Sequence, residues 1–290
     1  MNQRMLIVND IPGAGKVAGN INLPIISASG IETLLLPTLI LSTHTGGDYD
    51  HIVRRFMEDS FKAMLSHWLD NDIVFDSYLT GYFANPQQVY DFRAFLDRQA
   101  RPAEETCLVV DPIMGDGGDF YDGFDHAICG AFQDLLPYCE VVLPNLTEAC
   151  LMTQTPYEEF MSQDALGQIC LKLRQQGARN VVITGIRQDA KSQEIGFFLV
   201  NDQFPQGTFI SHRYFDTPYF GTGDIVASLV SAGQHHGVAL SETLEFVGQF
   251  IEATIESTRA LQRPVKLGLH FEQHMDQVIS FFKASRKKEG

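Results

Sequence analysis

The sequence predicts a layered α/β fold, and three observations carry that expectation. Short apolar and β-branched runs alternate with longer stretches of helical periodicity. These runs are mostly apolar or β-branched, as buried parallel strands are. Turn residues between two later strand-like runs point to antiparallel pairing at one sheet edge. With 44% of 290 residues hydrophobic, the chain can bury a large core, which excludes a disordered or disulfide-stapled class. No linker, internal repeat or low-complexity tract marks a boundary, so one domain over residues 1–290 is expected.

Taken in order, strands are expected at residues 5–9, 32–36, 72–75, 107–111, 140–143 and 180–184. Helices are expected between them at 49–69, 86–100, 122–135 and 163–177, each long enough for a right-handed crossover between parallel strands. Residues 194–200 and 208–214 flank Asn201-Asp202 and Pro205-Gln206-Gly207, and form the antiparallel pair. The last third reads as helices at 222–236, 241–261 and 270–284. Leu244, Val247, Ile251 and Ile255 recur there at three-to-four spacing, which sets a buried stripe.

Lys and Arg number 21 against 36 Asp and Glu, a formal net charge of −15. That balance repels a polyphosphate backbone, and no segment carries a dense basic face, so nucleic acid is not an expected partner. The short run Arg286-Lys287-Lys288 reads as a solvated helix end. No run approaches the ~18 apolar residues of a membrane span, and residues 5–8 lack the features of a secretory signal, so a cytoplasmic protein without a membrane partner is expected. Cys107, Cys129, Cys139, Cys150 and Cys170 form an odd set without metal-ligand spacing and read as reduced core thiols.

In open parallel sheets the ligand lies beyond the carboxyl ends of the strands, which directs attention to four places. Gly221-Thr222-Gly223-Asp224 precedes a helix. Glycines there let backbone N–H groups face an anion, and Asp224 could accept a proton from an attacking hydroxyl; a plain helix cap by Thr222 or Asp224 is the alternative. Asp111-Pro-Ile-Met-Gly-Asp116 sets two carboxylates around a turn, as hard ligands for Mg²⁺ or as an Asx turn. Asn145-Leu-Thr-Glu148 supplies an amide and a carboxylate one turn apart, for a metal-phosphate cluster or for a capping box. Asn9-Asp10 ends the first strand. The Gly13-Ala-Gly15-Lys16 run after it fails the phosphate-loop pattern because Val17 follows the lysine, and it reads as a flexible turn opening the first helix. His235-His236 reads as a helix-end pair, whereas His44 in Ser42-Thr-His-Thr45 follows a strand and stays a candidate.

Together these stretches resemble the ribokinase-like small-molecule kinases, and within them the pyridoxal kinase branch. Gly-Thr-Gly-Asp at 221–224, Asp-Pro-Ile-Met-Gly-Asp at 111–116 and Pro-Asn-Leu-Thr-Glu at 144–148 are similar to the superfamily's motifs. Ser-Thr-His-Thr at 42–45, Leu-Thr-Gly-Tyr at 79–82 and Ala-Gly-Asn at 18–20 are similar to the vitamin B6 branch. The resemblance implies a three-layer sandwich and an ATP-dependent transfer of the γ-phosphate to the 5′-hydroxymethyl group of pyridoxal. It implies Asp224 as base, with Gly221, Thr222 and Gly223 holding the γ-phosphate, and Asn145 and Thr184 on the ATP phosphates. Asp111, Asp116 and Glu148 would organise Mg²⁺ directly or through water. Asn9, Thr45 and Tyr82 would contact the substrate beside Asp224, with His44 a weaker candidate. A homodimer is also implied, and a monovalent-cation requirement stays open. The chain departs from the branch where Asn9-Asp10 replaces Ser-His, Leu143 replaces a Thr, and Gly185 stands where some relatives have Ser. A hydroxymethylpyrimidine kinase is the alternative enzyme, and a non-catalytic B6 or nucleotide binder the alternative outside enzymes.

Overall fold

The computed structural model describes residues 4–99 and 106–288, with side chains through residue 285. The basic side chains at 286–288 and residue 100, the expected end of one helix, lie outside that description. Along the chain run β1 (Arg4–Pro12), α1 (Gly19–Ala28), β2 (Glu32–Leu41), β3 (Arg54–Phe56), α2 (Glu58–Asp70), β4 (Ser77–Thr80) and α3 (Pro86–Arg98). Then follow β5 (Cys107–Val110), the hairpin β6 (Gly115–Asp116) and β7 (Asp119–Phe120), α4 (His126–Gln133), β8 (Cys139–Val142), α5 (Leu146–Thr153), α6 (Gln163–Gln175) and β9 (Asn180–Ile186). The chain closes with β10 (Glu194–Val200), β11 (Thr208–Arg213), α7 (Thr222–His235), α8 (Leu240–Ala260) and α9 (Met275–Lys288).

Nine strands form one sheet in the order β11-β10-β9-β8-β5-β4-β1-β2-β3. The six central strands are parallel, and β3, β10 and β11 add antiparallel pairing at the two edges. Both faces of β1 are covered: Leu6 and Val8 join one core, Met5 and Ile7 the other, and all four are fully buried. That two-sided burial is why the strand reads as an unbroken apolar run. The chain leaves β1 for β2 on one side and later returns to β4 on the other, so the strand order reverses between β1 and β4, where a crevice opens.

Two elements differ from expectation. Residues 49–69 are not one helix: β3 occupies Arg54–Phe56 and pairs antiparallel with Leu39, Ile40 and Leu41, and α2 begins only at Glu58. Unpaired groups on the edge of β2 attract β3, and Glu58 and Asp59 favour a helix start where they meet its positive end. Residues 72–75 are not a strand. They close α2, with the Ile73 amide donating to the Trp68 carbonyl at 2.9 Å, and the wholly buried Ser77–Thr80 makes β4. The antiparallel pair near the end stands as expected, Glu194 opposite Arg213 through Leu199 opposite Thr208. All five cysteines are free thiols, four of them buried.

Candidate active site

The amino end of α7 meets the carboxyl ends of the central strands. Its cap is Gly221 in the left-handed region (φ 90°), and no side chain caps the helix, so neither Thr222 nor Asp224 is spent as one. The backbone N–H groups of the first turn before Asp224, whose own N–H bonds its carboxyl, therefore stay open to a ligand, with the helix dipole behind them. A side chain at Gly221 would meet the Lys16 carbonyl oxygen at 2.3 Å and Ile21 Cδ1 at 2.5 Å, whereas one at Gly223 would meet nothing within 4 Å. The first glycine lets the Lys16 turn close on the helix; the second faces open space.

Asp224, on the first turn of α7, is held by the backbone N–H of Ala18 and by the Asn9 amide. Ala18 adopts φ 50°, a conformation costly for a residue with a Cβ, and it caps α1 without a side-chain bond. Burial raises the Asp224 carboxyl to about 6, and these hydrogen bonds hold it below where burial alone would put it. Asn9 is the hub of this end. Its Oδ1 accepts from the amides of Tyr82 at 2.9 Å and Asp10 at 3.0 Å, and its Nδ2 donates to Asn22 Oδ1 at 2.8 Å. Asn22 in turn donates to Ser228 Oγ at 2.9 Å on α7. Asn9 was expected on the substrate; it is 1% exposed, and its amide is used within the protein.

The second group gathers around α5. Asn145 and Glu148 form a capping box: Glu148 N–H donates to Asn145 Oδ1 at 2.9 Å, and Asn145 N–H to Glu148 Oε2 at 2.8 Å. Glu148 Oε1 also accepts from Met114 N–H at 3.1 Å, and Asn145 Nδ2 donates to the Gly115 carbonyl at 2.8 Å, so the box fastens the 111–116 turn to the helix. Burial raises Glu148 while these backbone bonds oppose the rise; Asp111 is raised by burial and by the charges of Glu148 and Asp224. Asp111, Tyr121, Asn145, Glu148, Thr184 and Asp224 border a cavity of about 220 Å³, and among the described residues no Lys, Arg or His lines it.

Buried carboxylates without a cationic side chain fit a divalent ion. Among the described residues no three His, Cys, Asp or Glu side chains converge as one metal site. Asp116 sits exposed on the β6–β7 hairpin, its Oδ1 accepting from Gly117 N–H, and does not line the cavity beside Asp111 and Glu148. Such a sparse set suits Mg²⁺, which keeps several waters and takes one or two carboxylates plus phosphates.

At the substrate end, Tyr82 is half-buried with its ring 5.5 Å from Phe124. Thr45 is exposed in the loop after β2. His44 is 4% exposed, and its Nε2 bonds the Lys266 carbonyl at 2.6 Å, so it ties that loop to the turn before α9 instead of facing a ligand. Lys16 pairs with Glu272 and pins its turn to the same region. His235 bonds Ser77 Oγ and His236 the Ser29 carbonyl, consistent with structural helix-end roles. Sequence reasoning missed Ala18 and Asn22 as holders of Asp224 and did not assign Asp10, which is 8% exposed; the Ala-Gly-Asn run at 18–20 was the available signal.

An uncapped glycine helix start, a carboxylate beside it and buried acids facing a cavity at the sheet's switch point define a ribokinase-like small-molecule kinase, a phosphotransferase with an alcohol acceptor. The chain belongs to the phosphomethylpyrimidine kinase family, which matches residues 32–268. It is similar to a pyridoxine/pyridoxal/pyridoxamine kinase of Bordetella avium, 23% identical over 84% of this chain and 82% of that protein. The pyridoxal kinase of Lactobacillus plantarum superposes with a TM-score of 0.87 at 27% identity, covering 98% of this chain and 99% of that one. A Bacteroides thetaiotaomicron protein provisionally named a phosphomethylpyrimidine kinase, crystallised with pyridoxal, gives 0.88 at 25% identity over 96% of each chain.

Proposed function

We propose that this protein is a pyridoxal kinase, moving the γ-phosphoryl group of ATP to the 5′-hydroxymethyl group. The observation that carries the reading is Asp224 held beside the open N–H groups of α7, with the Ala18 amide and Asn9 fixing its carboxylate. In the step, the hydroxyl oxygen forms a bond to the γ-phosphorus while the bond to the β–γ bridging oxygen breaks. Asp224 takes the hydroxyl proton, and ADP leaves. The amides of Gly221, Thr222 and Gly223 would face the transferring phosphoryl, and Asn145 and Thr184 the remaining phosphates. Mg²⁺, when bound, would neutralise phosphate charge. Asp111 and Glu148 would hold it through water, since Glu148's oxygens already accept backbone bonds, and Asp116 would approach from the hairpin. Tyr82 would lie against the pyridine ring, and Thr45 would approach it from its loop. Homodimer formation and a single kinase domain in the cytoplasm belong to the same proposal. The exposed edge strand β3, with Phe56 57% exposed and Val53 just before it 62% exposed, supports the dimer.

The test is incubation of the purified chain with ATP, Mg²⁺ and pyridoxal. ADP and pyridoxal 5′-phosphate should form one to one. Competition with hydroxymethylpyrimidine separates the second reading, which the family match favours: preferential consumption of the pyrimidine alcohol would replace the B6 assignment. Stoichiometric binding without ADP release would remove the enzyme.

A further inference from the structure

Three buried polar side chains, Asn9, Asn22 and Ser228, meet where β1, α1 and α7 come together. Hydrogen bonds run through them in one line. Asn9 Oδ1 takes the N–H of Tyr82 at 2.9 Å, and Asn9 Nδ2 donates to Asn22 Oδ1 at 2.8 Å. Asn22 Nδ2 donates in turn to Ser228 Oγ at 2.9 Å and to the Asp224 carbonyl at 3.4 Å, and Ser228 Oγ donates to that same carbonyl at 2.6 Å. A side chain on Gly81 would meet Asn9 Nδ2 at 2.5 Å, so the loop that carries Tyr82 presses directly on this amide. The line therefore joins that loop to the backbone of Asp224. Adhesion between the helices does not require it, because Ile21 and Ile25 of α1 share one apolar core with Ile225 and Leu229 of α7. Asparagine is also a poor choice inside a helix, since its amide competes for backbone groups. A fully bonded buried amide there fixes one arrangement of the elements around it.

We propose that Asn22 is a positioning residue for phosphotransfer, bracing the backbone of Asp224 with its Nδ2 and, through Asn9, the Tyr82 loop with its Oδ1. The two braces set the base against the acceptor hydroxyl. The inference rests on the kinase reading above, in which Asp224 takes the hydroxyl proton and Tyr82 lies against the ring. Asn22 does not line the cavity, whereas Asp224 does, so its influence on the reaction runs through Asp224. Without the Asn22 amide, Asn9 Nδ2 and Ser228 Oγ each lose a partner, and the base and the ring loop are no longer held in register. A misplacement of about 1 Å at a reacting group is enough to cost on the order of 100-fold in rate.

The experiment is single-turnover phosphorylation of pyridoxal with ATP and Mg²⁺ by the wild type, Asn22→Ala, Asp224→Asn and the two substitutions combined. In the wild-type background Asn22→Ala should slow transfer about 10- to 100-fold, with pyridoxal affinity within about threefold, because Asn9 still receives the Tyr82 N–H. In the Asp224→Asn background the same substitution should change the rate by less than about twofold, since no base is left to place. A slowing by the same factor in both backgrounds marks a merely structural residue and overturns the proposal, as does an Asn22→Ala rate within about twofold of the wild type. Should Asn22→Ala not fold, Ser228→Ala decides: a loss of about threefold or more confined to the Asp224 background supports the proposal, and an equal loss in both, or none, overturns it. A wild type that phosphorylates no pyridoxal sinks the kinase reading itself, a result distinct from an active enzyme indifferent to residue 22.

Discussion

The two ends of the cleft both bury carboxyl groups, but they tie them down to different degrees. Around α5, Glu148 gives its oxygens to the amides of Asn145 and Met114, so its carboxylate is both a cap and a fixed lip of the cavity. At the β1 end, Asp10 and Asp224 share a neighbourhood in which, among the described residues, neither forms an ion pair with a cation, and the ties on Asp224 are a strained backbone amide at Ala18, the Asn9 hub and its own N–H. The first end fixes its carboxyl groups in position, although burial pushes Glu148 and Asp111 up as well, so their charge too waits on a cation. The second is left electrostatically unfinished, as a site must be if its carboxylates are to meet a proton or a substrate.

Three changes would break or sharpen that contrast. The largest effect is expected at Gly221→Ala. The new Cβ would collide with the Lys16 carbonyl at a backbone φ of 90°, which forces the helix start to move, and kcat should drop about 100-fold, as for a displaced reacting group. An unaltered kcat would mean that the amides at this tip hold no phosphoryl group. Next comes Glu148→Gln, which keeps the shape of the box but removes the charge. The Mg²⁺ concentration for half-maximal rate should rise about 10-fold, the scale of an outer-shell ligand, while thermal unfolding shifts by about 1 kcal/mol for the weakened cap. Equal Mg²⁺ response in both proteins would confine Glu148 to capping.

The last change concerns stability rather than rate. Burial and the nearby Asp224 push the Asp10 carboxyl up to about 7 in the folded state, above the 3.8 of an exposed aspartate, so the folded state binds the proton more tightly and stability falls as pH rises between those values. Asp10→Asn removes that penalty, on the order of 2–4 kcal/mol at most above pH 7. Melting curves should show the variant more stable at pH 8, with a smaller advantage at pH 5. A pH-independent difference would place Asp10 in a wetter setting than the structure gives it.

The motifs at 111–116, 144–148 and 221–224 were legible because each is contiguous and each sits at a strand end. The capping box and the metal-phosphate reading of Asn145 and Glu148 were rival interpretations, yet the structure makes the cap the device that stations the carboxylate at the cavity. Asn9 could not be read correctly from its neighbours, because its partners are Asn22 and Tyr82, 13 and 73 residues away. The edge strand β3 was hidden inside a helical pattern for a similar reason: each of Arg54, Arg55 and Phe56 is exposed, and its pairing with β2 defines it. Within residues 72–75, Ile73 and Phe75 pack against the core from a loop while Val74 is exposed, and periodicity does not distinguish that from a strand.

The central claim is that Asp224 receives the acceptor's proton beside amides that hold the phosphoryl group. Its most direct measurement is single-turnover phosphorylation of pyridoxal by Asp224→Asn, with pyridoxal affinity measured in parallel. The rate constant should fall by ~10²–10⁴-fold, the usual contribution of a general base, while affinity stays near that of the wild type. A variant that still transfers phosphate at close to the wild-type rate would contradict the account.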